Sequence, residues 1–135
     1  MNRVLLDTSA YSTFMKGSPE ALAAIQTADE IYLNPVVVGE LLSGFLRGSR
    51  TTTRQRQLQE FLASPRVRAA DVDETTSERY AVILNSLWTA GTPLPTNDIW
   101  IAATAMQHGL QVVTQDAHYQ KIAQIVVHHL AGFTP

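Results

Sequence analysis

Four carboxylates stand out by where they fall in the chain. Asp7 stands where the apolar run Arg3-Val4-Leu5-Leu6 stops, and two hydroxyls, Thr8 and Ser9, follow it. Glu40 lies in the second turn of a helical pattern that opens at Asn34-Pro35. Asp98 opens the apolar stretch Ile99–Met106, and Asp116 follows the run Gln111–Thr114 by two residues. If these acids converge they repel one another. In a partly desolvated cleft that raises at least one pKa unless a cation neutralises them. Oxygen-only ligands of this kind suit Mg²⁺ or Mn²⁺, not Zn²⁺. Such ions keep several waters and take further ligands from substrate phosphates. The chemistry implied is phosphoryl transfer or hydrolysis, with one or two ions activating water.

Convergence depends on the elements that carry the acids. Arg3–Leu6 reads as a strand, and the residues after it as a helix cap. Ser18 caps and Pro19 starts a helix to about Ala28. Ile31–Leu33 is a second strand. Asn34 caps and Pro35 starts a helix that runs through Val36–Leu46 and ends at Gly48. Val37, Val38, Leu41, Leu42, Phe45 and Leu46 form its apolar stripe. A polar helix over about Thr52–Ala63 precedes a short strand at Val67–Ala69. Glu74–Ala90 is a long helix stopped by Gly91, and Asp98–His108 a compact one stopped by Gly109. Gln111–Thr114 is a strand, Tyr119–Gln124 a short helix and Ile125–His129 a last strand. This alternation predicts an α/β sandwich with a largely parallel sheet, its strand order open.

In open parallel sheets, ligands bind beyond the carboxyl ends of the strands. Asp7 directly follows a strand, and Asp116 lies two residues past the end of another. The Asp98 helix leads into the strand Gln111–Thr114, so it runs antiparallel to that strand and presents Asp98 at the same edge. The Glu40 helix leaves the carboxyl end of Ile31–Leu33. Each acid also has an ordinary reading. Asp7 and Asp116 fit as helix N-caps, and Asp98 suits the positive end of a helix dipole. Glu40 shares a face with Val36, Ser43, Gly44 and Arg47, where a surface ion pair is the simple account. Gly39 and Gly44 lower helix propensity by roughly 1 kcal/mol each, which points to close approach by something else. The Asp98 helix is almost wholly apolar and so is expected to be buried, with Ala102 and Ala105 beneath the acid.

The 135 residues fit a single domain over 1–135, and 45% hydrophobic content with 16% charged suits a compact core. The chain has no cysteine, which removes disulfides, thiolate metal sites and cysteine nucleophiles. That fits a reducing cytosol, and the expected location is cytoplasmic. No secretory signal or membrane-length apolar run is visible. A net charge of −2 is not that of a strongly basic nucleic-acid binder. Yet Arg47, Arg50, Arg54, Arg56, Arg66 and Arg68 crowd one segment, either as a solvated face or as a phosphate-facing patch.

Taken together, "LLDTSAY", "VVVGELLSG", "PTNDIWIAATAMQHG" and "VVTQDAHYQKI" resemble the PIN-domain ribonucleases. Within them they resemble the VapC toxins of type II bacterial toxin–antitoxin pairs. The resemblance runs the length of the chain in the right order. It implies a three-layer α/β/α sandwich around a central, mainly parallel sheet. It implies a Mg²⁺-dependent endoribonuclease, with Mn²⁺ substituting, that hydrolyses structured RNA such as tRNA. Asp7, Glu40, Asp98 and Asp116 match the catalytic acids. Asp7 and Asp98 would bind the metal, with Glu40 and Asp116 binding directly or through water. Ser9 and Thr114 would support the acids, and Asn97 would orient Asp98. Arg47, Arg50, Arg54 and His118 are candidate RNA contacts. Packing or a local hydrogen bond is the simpler role for His118. Gln115 replaces a residue that is basic in many relatives, so one phosphate contact is in question. The expected partners are RNA, a VapB-like antitoxin and a second copy of the chain, with no membrane.

Two other readings remain at this level. A degenerate domain that only binds RNA or protein would not need all four acids and both hydroxyls. A haloacid-dehalogenase-type phosphatase also begins with a strand ending in Asp. Its second acid normally falls two positions on, where Ser9 stands here.

Overall fold

The computed structural model describes residues 1–135. Five short strands, β1 (Arg3–Leu6), β2 (Glu30–Leu33), β3 (Val67–Ala69), β4 (Gln111–Thr114) and β5 (Val126–His129), form one sheet. Their order is β3-β2-β1-β4-β5, and every neighbouring pair is parallel. The helices are α1 (Thr8–Met15), α2 (Pro19–Thr27), α3 (Pro35–Arg47), α4 (Thr51–Leu62), α5 (Glu74–Ala90) and α6 (Thr96–His108). A 3₁₀ turn at Ala117–Lys121 joins β4 to β5.

The central strands are apolar because helices flank the sheet. Leu5, Leu6, Ile31, Leu33, Val112 and Val113 are buried. Side chains close the helix ends. Ser18 Oγ accepts from the Ala21 N–H and Asn34 Oδ1 from the Val37 N–H. Asp73 and Thr76 form a reciprocal capping box on α5. Gly91 and Gly109 end α5 and α6 at φ 70° and 64°, a region other residues enter only with strain.

Strand order is what the linear pattern left open, and it matters for the site. From β1 the chain moves outward to β2 and β3, then returns to the other flank for β4 and β5. The connections therefore diverge between β1 and β4. That divergence opens a crevice at the carboxyl ends of these two strands. Asn34 ties a second pair of elements together there. Its amide donates to Thr104 Oγ1 at 3.1 Å, and both residues are buried, so α3 is pinned to α6.

Several boundaries differ from expectation. Helix α6 starts at Thr96, not Asp98, because Pro95 precedes it in an extended conformation. The turn after β4 starts at Ala117 instead of Tyr119, since the Asp116 carboxylate accepts from the His118 N–H at 2.8 Å and closes the turn early. Helix α4 runs Thr51–Leu62, starting one residue earlier than its polar pattern suggests, and β5 begins at Val126. The apolar stripe of α3 is only half used: Val37, Leu41 and Phe45 are buried, whereas Leu46 is 69% exposed. Gly39 and Gly44 are not sites of close approach within the chain. A Cβ at either would meet nothing within 4 Å.

Candidate active site

Asp7 caps α1, its Oδ1 accepting from the Ala10 N–H at 2.8 Å. It is also the most heavily bonded acid at the crevice. Ser9 Oγ donates to it at 2.8 Å and Thr114 Oγ1 at 2.6 Å. Neither hydroxyl is free to turn. Ser9 Oγ accepts from the Gln115 N–H at 2.9 Å, and Thr114 Oγ1 accepts from the Asp116 N–H at 2.9 Å. Two relays thus run from backbone amide through hydroxyl to carboxylate, and each step polarises the next. They join the end of β4 to the end of β1. A carboxylate offers about four acceptor positions. Three donors reach that of Asp7, and Ser9 Oγ lies within 3.0 Å of both oxygens, so each oxygen is engaged.

Glu40 projects from α3 with both oxygens engaged. Thr8 Oγ1 donates to Oε1 at 2.7 Å, and the Asn97 amide to Oε2 at 3.3 Å. Thr8, Gly39, Glu40, Ser43, Arg47 and Asn97 are among the residues that line a cleft of about 570 Å³. Asp98, in the first turn of α6, receives the Tyr119 hydroxyl at 3.3 Å. Asp116 lies next to His118, whose Nδ1 is 3.2 Å from its Oδ1. The donor atoms of Asp98, Asp116 and His118 all fall within 4.8 Å of one another.

The electrostatics follow from this crowding. Burial pushes the Asp98 carboxyl up to about 6, and the charges of Asp116, Asp7 and Glu40 add to the rise against the pull of the Tyr119 hydroxyl. Burial also raises Asp7, while its hydrogen bonds from Thr114, Ala10 and Ser9 oppose the shift. Tyr119 is pushed well above the usual phenol range by burial and by the nearby acids. It therefore stays a donor. Hard oxygen donors gathered in a crevice where their mutual repulsion is unrelieved fit a divalent cation.

A family model described as the PIN domain matches residues 4–125. Ribonuclease VapC4 of Mycobacterium tuberculosis is 31% identical, the alignment covering 94% of this chain and 96% of that protein. The chain belongs to the PIN-domain family, among the VapC ribonucleases. Two solved structures share the fold. VapBC2 of Rickettsia felis, bound to a promoter DNA fragment, matches with a TM-score of 0.84 at 19% identity, covering 95% of this chain and 98% of that one. VapBC-5 of Mycobacterium tuberculosis, a member of the VapBC toxin–antitoxin family, matches with a TM-score of 0.73 at 27% identity, covering 94% and 98%.

In this PIN domain the four expected acids, Asp7, Glu40, Asp98 and Asp116, meet at one edge, near enough for the other three charges to act on Asp98. Ser9 and Thr114 bond Asp7 directly. Asn97 departs from expectation: its amide reaches Glu40, not the neighbouring Asp98. Asp98 clusters with Asp116 and His118 and not with Asp7. Of the two simple roles for His118, packing and a local hydrogen bond, the structure shows the second: its side chain is 52% exposed and its Nδ1 lies 3.2 Å from Asp116 Oδ1. Gln115 points inward, its side-chain oxygen accepting from Thr13 at 2.6 Å. The match of the PIN model over residues 4–125 leaves no place for the phosphatase reading.

The arginines separate. Arg47 borders the Glu40 cleft and bonds Ser43 at 2.9 Å. Arg50 and Arg54 line a different cleft of about 350 Å³ with Lys16, Tyr11 and Phe45. Arg66 closes the end of α2 on the Ile25 and Ala28 carbonyls, Arg68 faces Glu30, and Arg56 pairs with Glu60. Two contributors escaped the linear reading. Thr8 offered no signal, because its partner lies in a distant segment. Tyr119 offered little: its position three residues past Asp116 does not show that its hydroxyl reaches Asp98, and burial alone does not ensure a partner, since the buried Tyr11 hydroxyl has none.

Proposed function

We propose that this chain is a divalent-metal-dependent endoribonuclease and the toxin of a VapBC-type toxin–antitoxin pair. Its substrate would be structured RNA, tRNA among the candidates. The observation that carries the reading is the convergence of four carboxylates at the β1/β4 crevice, with Asp98 raised to about 6 in the absence of a counter-charge. Mg²⁺ would be held by Asp7, Asp98 and Asp116, directly or through water, with Mn²⁺ substituting. When bound, the ion lowers the pKa of a coordinated water and offsets charge on the scissile phosphate. Glu40, fixed by Thr8 and Asn97, is placed to orient the attacking water. Ser9 and Thr114 hold Asp7 so that it need not reorganise when the ion arrives. Tyr119 does the same for Asp98. Arg47 at the cleft wall, and Arg50 and Arg54 beyond it, supply phosphate contacts.

The VapB partner is proposed because the related VapBC structures are toxin–antitoxin assemblies. A homodimer would cover the exposed apolar side chains of Leu46 on α3 and Trp88 on α5. The test is cleavage of total RNA by the purified wild type, Asp7→Asn and Asp98→Asn, in Mg²⁺ and in EDTA. Cleavage by the wild type in Mg²⁺ alone, and by neither variant, is expected. Wild-type rates in either variant, or undiminished cleavage in EDTA, would remove the assigned site.

A further inference from the structure

Of the four histidines, one stands among the acids. His128 pairs with Glu20, and His129 Nε2 lies 3.1 Å from the Gln115 carbonyl. His108 ends α6, ten residues and therefore about 15 Å of helix rise from Asp98. His118 sits on the turn that begins at Asp116. Its own N–H donates to Asp116 Oδ1 at 2.8 Å, and that bond folds the turn back so that the ring returns beside the same carboxylate. The next residue, Tyr119, is buried and donates its hydroxyl to Asp98. One short turn thus sets an imidazole beside Asp116 and a phenol against Asp98.

We infer that His118 is a metal ligand, giving this site a nitrogen donor and a preference for Mn²⁺ over Mg²⁺. The inference rests on the metal-dependent reading above and sharpens it. Adjacent ligands of an octahedral ion with bonds of about 2.1 Å stand roughly 3 Å apart. His118 Nδ1 and Asp116 Oδ1 are 3.2 Å apart, and Asp98 lies within 4.8 Å of both, a gap that its carboxylate closes on binding the ion. Mg²⁺ favours oxygen and gains little from imidazole, whereas Mn²⁺, although the weakest binder of the first-row transition ions, gains more from a nitrogen donor than Mg²⁺ does. Adding one imidazole to the carboxylates therefore separates ions that carboxylates alone would hold alike. The free half of the ring faces water, so the ligand needs no rearrangement of the core.

The metal-free protein and His118→Gln, whose exposed position preserves the fold, are titrated with MnCl₂ and MgCl₂. Bound Mn²⁺ is then examined by electron spin-echo envelope modulation. Wild type is expected to show imidazole ¹⁴N modulation that His118→Gln lacks. The variant should bind Mn²⁺ about tenfold more weakly while its Mg²⁺ affinity changes little. Mn²⁺ bound to wild type without nitrogen modulation, modulation that survives in His118→Gln, or equal weakening of both ions would overturn the inference and leave the metal-dependent reading intact. No Mn²⁺ binding to wild type would overturn both.

Discussion

Removing one charge from the crevice should stabilise the metal-free protein. The Asp98 carboxyl rises from an ordinary 3.8 to about 6, first through burial and then through the charge of Asp116. Holding it ionised at neutral pH therefore costs about 3 kcal/mol relative to the unfolded chain, and nearer 2 kcal/mol once solvent screens this half-buried group. A raised acid contributes stability that is complete below about pH 4 and is lost as pH climbs through about 6. Asp98→Asn keeps the shape and still accepts the Tyr119 hydroxyl, but carries no charge. At pH 7.5, with EDTA, it should melt about 6–10 °C above wild type, taking 3–5 °C per kcal/mol for a chain of this size. The gap should close as pH falls from 6 to 4. Millimolar Mn²⁺ or Mg²⁺ should also close it by raising wild type alone, since only wild type gains the full ligand set. Differential scanning calorimetry over pH with and without metal reads all three effects. Equal melting of the two proteins at pH 7.5 without metal would refute the repulsion argument. Loss of cleavage in a variant that is more stable than its parent would also show that inactivity does not arise from unfolding.

Thr114→Val keeps the volume of a fully buried side chain but strips the Asp7 donor and leaves the Asp116 N–H unpaired. A loss of about 1–3 kcal/mol is expected in urea unfolding, with weaker metal binding in calorimetry. Arg50→Gln with Arg54→Gln should weaken RNA binding by an inactive Asp7→Asn background in a salt-dependent way. The slope of log affinity against log salt should fall by about 0.7 for each single-strand phosphate no longer neutralised, and an unchanged slope would place RNA elsewhere. Leu46→Glu and Trp88→Glu should each shift the chain to monomer in sedimentation equilibrium, while a persisting dimer would exclude these two exposed side chains from the interface.

Local features of the fold were legible where a few neighbouring residues decide the outcome. The strands Arg3–Leu6, Val67–Ala69 and Gln111–Thr114 were bounded by charge, proline and polar residues. The α5 helix was delimited at its end by Gly91, whereas its Asp73–Thr76 capping box was not read. The alternation of elements fixed the edge on which the acids would meet. What stayed hidden depends on partners far apart in the chain. The order β3-β2-β1-β4-β5 is a property of pairing, and the divergence between β1 and β4 follows from it alone. Adjacency suggested Asp98 as the partner of Asn97, yet a helical neighbour points elsewhere, and the amide turns to Glu40. Leu42 and Leu46 satisfied the helical period of a buried face, but period alone does not say how wide a face its neighbours cover. Gly39 and Gly44 suggested contact points although nothing in the chain approaches them.

The two amide-to-hydroxyl relays that grip Asp7 also set a time order on the chain. Their donors, Gln115 and Asp116, lie more than 100 residues beyond their acceptor. At synthesis rates of about 5–20 residues per second, Asp7 precedes them by roughly 5–20 seconds. Through that interval the N-terminal strands and helices can collapse, but β4 is not there to dock against β1. A nascent or truncated chain ending before Thr114 has its first acid without the Thr114 hydroxyl and without the Gln115 amide that fixes Ser9, and it lacks Asp116 altogether. The assembled carboxylate cluster therefore arrives late, when the last third of the chain closes onto the first strand.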